Sequence, residues 1–473
     1  MYDAALINGR LVDPANAVDA RLNIAVHEGK IAEITHEPLL DRCRTVIDME
    51  GNAVVPGIID IHTHLTDIFG GSNGGFSMLA RAGVCTALDL AGPVSDVFAS
   101  MARYGSGINV ASVESVRPGE NVRSNAPGLP ELRSLVASSM ENGAIGCKLL
   151  GGHFPLTPES SAAFAEATES EHAYAAWHAG TTKSINTIDS FHDLVELTGS
   201  SKMHAAHINS YCRGLLHNEV EECQMAAAML EQHPNIYSEA YLAQTNGITF
   251  ALDEKGVLKS KATGQTLVRG GYENSQEGIV QAIRDGFAHV FAPKGIETGI
   301  YRGEEAVQLL LASHCRIAGG FNVNPPLSRL YLCLARRKGG EFAVDAISTD
   351  GGAIPRNVIV SHGLSLVKMG MLSLGDFIRK TSVTPAAMLG LHGKGSLGVG
   401  DDADITVLDL DRCEPVLTMA RGQVCMYKGL VVGSRGCIIT TERGRHAAEK
   451  TGLPYALVNE KDFLPPRNGQ KLP

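Results

Sequence analysis

The chain has 473 residues, enough for one large domain and a smaller one. Its formal net charge of −10 gives no support for binding to nucleic acid or to an anionic membrane. The ten cysteines form no CxxC pair, which is typical of buried thiols in a reducing compartment. The chain shows no signal-peptide pattern and no apolar run of about 18 residues, so we expect a cytoplasmic protein without a membrane span.

Residues 1–56 resemble a series of short β-strands separated by turns. The stretch 4–13 predicts two strands around a hairpin turn at Asn8-Gly9. Glu28-Gly29 predicts a second turn between two further strands. This section alone has too few strands for a good core, so we expect it to pair with another part of the chain.

The apolar run 57–61 ends at His62-Thr63-His64, two imidazoles separated by one residue. Side chains at positions i and i+2 of a strand point the same way, so both rings can converge on one point. Two converging neutral imidazoles suit a zinc-type ion. An isolated pair of this kind is more often two surface histidines near a turn, so the interpretation depends on ligands further along the chain.

Residues 57–392 alternate short apolar strands with helical stretches, including helices predicted over 129–142 and 157–172. The second helix begins Thr157-Pro158, an N-cap residue followed by proline at the first helical position. This alternation predicts a parallel α/β fold, most simply a (β/α)8 barrel. Active sites of such barrels lie at the C-terminal ends of the strands, so polar residues that finish apolar strands are the candidates for function.

Lys148 lies in the apolar strand predicted over 144–150, where an unpaired ammonium would be costly. It is either a snorkelling or ion-paired lysine, or a neutral amine that has captured carbon dioxide as a carbamate. A carbamate supplies two oxygens and a negative charge, and can therefore bridge two cations. The histidine pair favours the second interpretation.

His178 and His207 each follow a short apolar strand, one β/α unit apart. A lone histidine in either place is more often structural, but together with the earlier residues both become candidate metal ligands. His204 and His172 are weaker competitors because they fall too early in their segments.

The segment after His207 is longer than two β/α units require. Residues 235–240 predict the seventh barrel strand, and 242–300 predict an insertion over the active-site face, rich in Gly and polar residues as lids often are. Asp350 closes the next apolar strand, directly before two glycines, as suits a metal ligand whose free oxygen also meets a water molecule. Asp345 begins that strand and would lie at the opposite end of the barrel.

Short strands with glycine turns return at 404–409 and 424–432. We expect residues 393–440 to join residues 1–56 in one composite β-sandwich domain. Residues 441–473 would form a charged C-terminal extension that wraps the surface or an oligomer partner.

The chain resembles the amidohydrolase superfamily, metal-dependent hydrolases built on a barrel with a flanking β-sandwich. The resemblance covers essentially the whole chain and includes the stretches 56–64, 381–390 and 394–404. The ordered set of HxH, Lys, His, His and Asp matches the binuclear subclass with a carboxylated lysine, which includes dihydroorotases, hydantoinases and isoaspartyl dipeptidases. The family's N-acyl-D-amino-acid deacylases also carry a long late insertion, but they lack the bridging lysine.

The resemblance implies a binuclear centre with these ligands: His62, His64 and Asp350 on the more buried metal, His178 and His207 on the second, and carboxylated Lys148 with a hydroxide between them. Neutral histidines with few carboxylates favour two zinc ions per chain, with manganese or iron as alternatives. In the implied mechanism the hydroxide attacks a carbonyl, and Asp350 passes the proton to the leaving group.

Other polar residues near these ligands are candidates for substrate binding. Arg213 and Arg356 are placed to hold a substrate carboxylate. The remaining candidates are Asn209, His153 and Tyr241.

We expect hydrolysis of an amide-type C–N bond in a small carboxylated metabolite. The bond would lie in a hydantoin- or dihydropyrimidine-like ring, or in an N-acyl amino acid or β-linked dipeptide. A lactone, phosphotriester or thiocarbonyl centre is the alternative, and a non-catalytic scaffold is a third reading, although such members lose ligands. The resemblance also implies a homodimer or homotetramer.

Overall fold

The computed structural model describes residues 1–66 and 74–467. The chain forms a parallel barrel, a mostly antiparallel sheet built from both ends of the chain, and a smaller sheet inserted late in the barrel. No helix within these two ranges is long and apolar enough to cross a membrane.

The first strands of the chain build one part of the terminal sheet: β1 (Tyr2–Asp13), β2 (Val18–His27), β3 (Lys30–Thr35), β4 (Cys43–Asp48) and β5 (Ala53–Pro56). Glu28-Gly29 forms the predicted turn between β2 and β3, and both residues have positive φ. The hairpin predicted at Asn8-Gly9 is wrong, because β1 runs through this position as one strand with a bulge. Near the bulge β1 changes partner from β4 to β5.

Strands and helices then alternate as predicted: β6 (Ile58–His64), α1 (Gly75–Arg81), β7 (Val84–Asp89), α2 (Val94–Tyr104), β8 (Ser106–Val116), α3 (Leu129–Glu141), β9 (Gly146–Leu150), α4 (Pro158–Ser170), β10 (Tyr174–His178), α5 (Ile188–Thr198), β11 (Met203–Ala205), α6 (Glu219–Gln232) and β12 (Ile236–Tyr241). Each strand pairs in parallel with the next. The Thr157 side chain caps α4 by accepting a hydrogen bond from the Ser160 amide, as the Thr-Pro start predicts.

Strand β10 shows how the sequence aims a side chain into the barrel. Ala175 and Trp177 pack outward with apolar residues of α4 and α5. Tyr174 and Ala176 belong to a different cluster. Because side chains alternate along a strand, His178 continues the face of Tyr174 and Ala176 and emerges at the C-terminal end of the strand.

The chain then leaves the barrel and forms a separate antiparallel sheet with its helices: β13 (Ile248–Thr249), α7 (Lys261–Arg269), α8 (Gln276–Arg284), β14 (Ala288–Lys294), β15 (Glu297–Tyr301), α9 (Gly303–Ala312), β16 (Ala318–Phe321) and α10 (Pro326–Leu334). Its core includes Phe250, Leu267 and Ile283. The inserted sheet extends beyond the predicted boundary at residue 300, because β16 pairs with both β13 and β14.

The chain returns to the barrel through β17 (Ala346–Ser348), β18 (Gly351–Gly352), α11 (Ile359–Lys368), α12 (Leu374–Ile378) and α13 (Thr384–Met388). β17 pairs with β12, and β18 pairs with β6. These pairings bring the two ends of the sheet together at residues 346–352, so the barrel is nearly closed, and the predicted (β/α)8 architecture is confirmed.

The last elements are β19 (Ile405–Asp409), β20 (Glu414–Ala420), β21 (Gln423–Tyr427), β22 (Leu430–Val431), β23 (Arg435–Thr441), α14 (Arg445–Lys450) and β24 (Tyr455–Val458). β19 pairs with β5, so both ends of the chain share one sheet and one apolar core. β23 falls inside the section 393–440 predicted for the sandwich, but it pairs with β8 of the barrel. Beyond β24, Arg467 reaches Asp345 at the start of the last barrel strand.

Candidate metal centre

His62 and His64 lie at the end of β6, and Asp350 lies two residues beyond β17. The Asp350 Oδ1 atom is 2.8 Å from His64 Nε2 and 3.3 Å from His62 Nε2. All three side chains are buried, and one potential ligand atom from each lies within 4.8 Å of the others. Two imidazoles and a carboxylate in this arrangement form a donor set that a zinc ion accepts.

Lys148 lies beside this group, with its Nζ atom 3.1 Å from His62 Nε2. It stands in the middle of β9, in register with Ala176 of β10, and its side chain is fully buried. Burial lowers the pKa of Lys148 to about 8. A larger fraction of the amine is therefore neutral at pH 7, and the neutral amine is the form that reacts with carbon dioxide.

His178 and His207 meet on the other side of His62. His207 lies two residues beyond β11 with a φ of 36°, and its Nε2 atom is 3.1 Å from His178 Nδ1. The rings of His207 and His62 stack with centroids 5.1 Å apart. Burial lowers the pKa of His178 to about 3 and holds that of His207 well below its usual value. Both rings are therefore neutral, as metal ligands must be.

Glu239, at the fourth position of β12, is a site residue that sequence reasoning missed. Its Oε1 atom accepts hydrogen bonds from His62 Nδ1 and from the His207 amide, both at 2.6 Å, and its Oε2 atom accepts from the Ser348 hydroxyl at 2.6 Å. Since the Nδ1 proton of His62 faces Glu239, the Nε2 lone pair is left facing Lys148 and Asp350. A charged residue inside the predicted seventh strand was the available signal, by the same reasoning that selected Lys148.

Asn186 holds His178 in a similar way, and it was also missed. Its Oδ1 atom lies 2.5 Å from His178 Nε2 and accepts the proton of that nitrogen. The Nδ1 lone pair of His178 therefore points at His207, an arrangement that a cation between the two rings would stabilise. The buried neutral imidazoles and single carboxylate of this cluster thus fit a divalent transition metal.

The Arg356 guanidinium binds Asp350 of the metal-ligand cluster. Its Nη2 atom lies 2.5 Å from Asp350 Oδ2, its Nε donates to the Asp350 carbonyl oxygen at 2.5 Å, and its Nη1 donates to the Thr245 carbonyl at 3.2 Å. Burial alone would raise the pKa of Asp350, but Arg356 and the neighbouring histidines hold it well below its usual range. Arg356, predicted to bind substrate, is therefore the partner that orients Asp350.

A cavity of about 620 Å³ opens over the cluster and is lined by all the predicted metal ligands: His62, His64, Lys148, His178, His207 and Asp350. Four of the predicted substrate-binding residues also line it: Arg213, His153, Tyr241 and Arg356. Asn209 does not: it is fully buried, and its Oδ1 atom accepts a hydrogen bond from the Tyr241 amide at 3.2 Å. Asn209 therefore supports the wall behind Tyr241.

Arg213 is held in place by Asn324, which lies between β16 and α10 of the insertion. Its Nε and Nη2 atoms donate to Asn324 Oδ1 at 3.1 and 2.8 Å. The Tyr241 hydroxyl lies 2.9 Å from Ser210 Oγ, and burial lowers the pKa of His153 to about 4. The cavity wall thus offers a fixed guanidinium, a phenol and a neutral imidazole.

The competing residues are not among the predicted ligands, although His204 lies close to them, with its Nε2 atom 3.7 Å from Glu239 Oε1. His204 Nδ1 is 3.0 Å from the Tyr174 hydroxyl inside the barrel, and His172 occupies the turn before β10. Asp345 accepts from the Ser238 amide at 2.8 Å and contacts Arg467 at 2.7 Å, at the beginning of its strand. The preference for strand-end residues therefore agrees with the structure.

Known proteins similar to this chain include amidohydrolases. The sequence profile of the amidohydrolase family matches residues 338–435. A dihydroorotase of Elusimicrobium minutum is 22% identical over 438 residues, 86% of this chain and 88% of that protein. A dihydroorotase of Methanothermobacter thermautotrophicus is 23% identical over 95% of this chain and 100% of its own length.

Among solved structures, an N-acyl-D-glutamate deacylase from Bordetella bronchiseptica superposes with a TM-score of 0.63 at 14% identity, covering 92% of this chain and 98% of that chain. The fold is a barrel of parallel strands, and a group of side chains that could hold a metal ion lies at the ends of its strands. In residues 338–435 and over most of its length, the chain is therefore similar to proteins of the amidohydrolase family.

Proposed function

We propose that this protein is a metal-dependent hydrolase that cleaves an amide-type C–N bond in a small carboxylated metabolite. The bond lies in a cyclic amide, such as a hydantoin or dihydropyrimidine, or in an N-acyl amino acid or isopeptide. One observation carries the proposal: six ligand-type side chains, five of them buried and His178 partly buried, come from five segments of the barrel and line a single cavity. Relatives named dihydroorotase over nearly the whole chain support the same class of bond.

We further propose two zinc ions per chain, with Lys148 carboxylated between them. Bound ions of this kind supply an activated water and polarise a carbonyl. Glu239 and Asn186 support this assignment, since each holds the far nitrogen of a ligand imidazole and leaves the near lone pair free.

Asp350 is the residue to which we assign proton transfer. Its Oδ1 atom faces the histidines and its Oδ2 atom is held by Arg356, so the carboxylate cannot rotate freely. In this role Asp350 accepts a proton at the reacting centre and delivers it to the leaving nitrogen.

Arg213 is the side chain to which we assign the substrate carboxylate. Two of its donors are fixed by Asn324, which leaves Nη1 for a ligand in the cavity. A guanidinium held in one orientation favours a carboxylate over a neutral group.

The test is a hydrolysis screen of zinc-loaded protein against cyclic ureides, N-acyl amino acids and isopeptides, with metal content measured on the same samples. We expect turnover in one of these classes and about two metals per chain. Protein with two metals that hydrolyses lactones or phosphotriesters but no amide would overturn the assignment of the bond. One tightly held metal in fully active protein would overturn the binuclear centre.

A further inference from the structure

We propose that the insertion binds a second anionic group of the substrate, a carboxylate or a phosphate, through Lys259 and Arg316. The inference rests on the proposed function, because it treats the cavity as a substrate site. It adds an anion subsite on the wall that the insertion contributes, apart from the metal ligands and Arg213.

Lys259 and Arg316 lie on either side of the same residue, Ala251, in neighbouring extended segments. The Lys259 amide donates to the Ala251 carbonyl at 3.0 Å. On its other side, the pairing of β13 with β16 places Thr249 opposite Ala318, and the Phe250 amide donates to the Ile317 carbonyl at 3.0 Å. Continuing this antiparallel register brings Arg316 opposite Ala251. Lys259, Arg316 and Ala251 all line the cavity.

The charges on the cavity wall are unbalanced. Apart from the predicted ligand Lys148, its basic side chains among the described residues are Arg117, Arg213, Lys259, Arg316 and Arg356, and its acidic ones are Glu120 and Asp350. Arg117 pairs with Glu120, and Arg356 pairs with Asp350. Lys259 and Arg316 have no hydrogen-bonded or ionic partner for their side chains in the described part of the chain. A cavity with such an excess attracts anions.

Helix α7 adds a further feature to the same wall. It begins at Lys261, and the residue after Lys259 is its N-cap, Ser260, whose hydroxyl accepts from the Thr263 amide. This end of the helix carries the positive end of the helix dipole. Ser260 and Thr263 line the cavity. The Thr263 hydroxyl is buried and has no partner among the described residues. An anion near Lys259 would thus lie beside a helix N-terminus as well as two cations, with the Thr263 hydroxyl buried in the same turn of the helix.

The size of the cavity leaves room for two recognition points. Its volume of about 620 Å³ lies in the usual range of small-molecule sites. The metal ligands line the barrel side and α7 lines the insertion side. A ligand that contacts both sides therefore carries its second charge at a distance from the scissile bond.

The experiment compares ligands that cannot be hydrolysed. Linear dicarboxylates of increasing length are titrated calorimetrically into zinc-loaded protein, against ω-hydroxy monocarboxylates and ω-phosphonocarboxylates of the same lengths. We expect one chain length to bind about 10- to 100-fold tighter as the dianion than as the hydroxy acid, the range of a charge-assisted contact. A preference for the phosphonate over the dicarboxylate would identify a phosphate group, and the reverse a carboxylate.

Lys259→Met/Arg316→Met protein should lose this preference, whereas Lys255→Met/Arg269→Met protein, which removes the same charge from exposed positions of the insertion, should keep it. Equal affinities for every pair, no binding at all, or a preference that survives in the first double variant would overturn the inference. Amide hydrolysis without the preference leaves the proposed function standing, and the preference without amide hydrolysis leaves only the subsite.

Discussion

Replacing Glu239 tests whether its hydrogen bond to His62 orients that ring for metal binding. The Gln variant at this position keeps the shape: its carbonyl oxygen can still accept from His62 Nδ1 and the His207 amide, and its amide group can donate to the Ser348 hydroxyl. Only the negative charge is lost. Removing such a partner of a ligand histidine costs about 10- to 100-fold in metal affinity or activity.

We expect Glu239→Gln to lie near the lower limit, about 10-fold or roughly 1.4 kcal/mol. Glu239→Ala should approach 100-fold, roughly 2.7 kcal/mol, because it also leaves the buried His207 amide without an acceptor. Zinc affinity is measured by competition with a chromophoric chelator, and folding by circular dichroism.

The matched control is Asp345→Asn, a buried carboxylate at the opposite end of the last barrel strand. It should alter stability and leave zinc affinity unchanged. Wild-type zinc affinity in Glu239→Gln protein, or an equal loss in the control, would refute the reasoning.

Three further variants test the ligand set and the joint between the domains. Asp350→Asn should retain zinc and lose at least about 100-fold in turnover, and surviving activity would remove Asp350 from proton transfer. Lys148→Ala should lower the metal content by at least one ion per chain in mass spectrometry, and unchanged content would exclude the lysine bridge. Lys394→Met should lower the free energy of unfolding by about 3 kcal/mol at pH 7, because it leaves Asp402 and Asp404 without their 2.7 Å partner. Burial raises the pKa of Asp402, and Lys394 lowers it. Without Lys394 the buried carboxylate binds a proton at a higher pH than in the wild type, so the difference in thermal unfolding should be largest at neutral pH and shrink as the pH falls.

Local patterns were enough to place the barrel and much of the site. The alternation of side chains along β10 and the order of strands and helices identify His178 as a strand-end residue. Both patterns can be read from residues close together in the sequence. His207 and Asp350 lie two residues past their strands with positive φ, which no propensity reveals. Only their residue types and spacing make them candidate ligands.

Pairings between distant parts of the chain are what local reasoning could not supply. The prediction of a turn at Asn8-Gly9 is wrong because β1 pairs in parallel with β4, and the Met49 amide donates to the Ile7 carbonyl. This pairing keeps the chain extended at the predicted turn. The predicted insertion, 242–300, ends before β16. Its first strand, β13, has only two residues and pairs with β16, a contact that local sequence does not reveal. Such contacts depend on tertiary packing, which overrides local preference.

Asp60 provides a pH-dependent test of the cation site. It is fully buried, accepts from the Thr349 hydroxyl at 2.6 Å and from the His62 amide at 3.2 Å, and burial raises its pKa to about 7. A cation bound at the neighbouring histidines favours the ionised carboxylate. Asp60 should therefore release about 0.9 proton on zinc binding at pH 6, where it is mostly protonated, and about 0.1 at pH 8.

Calorimetric titration in buffers of different ionisation enthalpy counts these protons, and the difference from Asp60→Asn protein isolates this carboxyl from the other titrating groups. The sign follows from the raised pKa: the proton is present below pH 7 in the metal-free protein and already absent above it. Equal proton release by both proteins at pH 6 would show that Asp60 is ionised before the metal arrives. Asp60 would then already be charged in the metal-free protein, and nearby basic side chains would balance its charge.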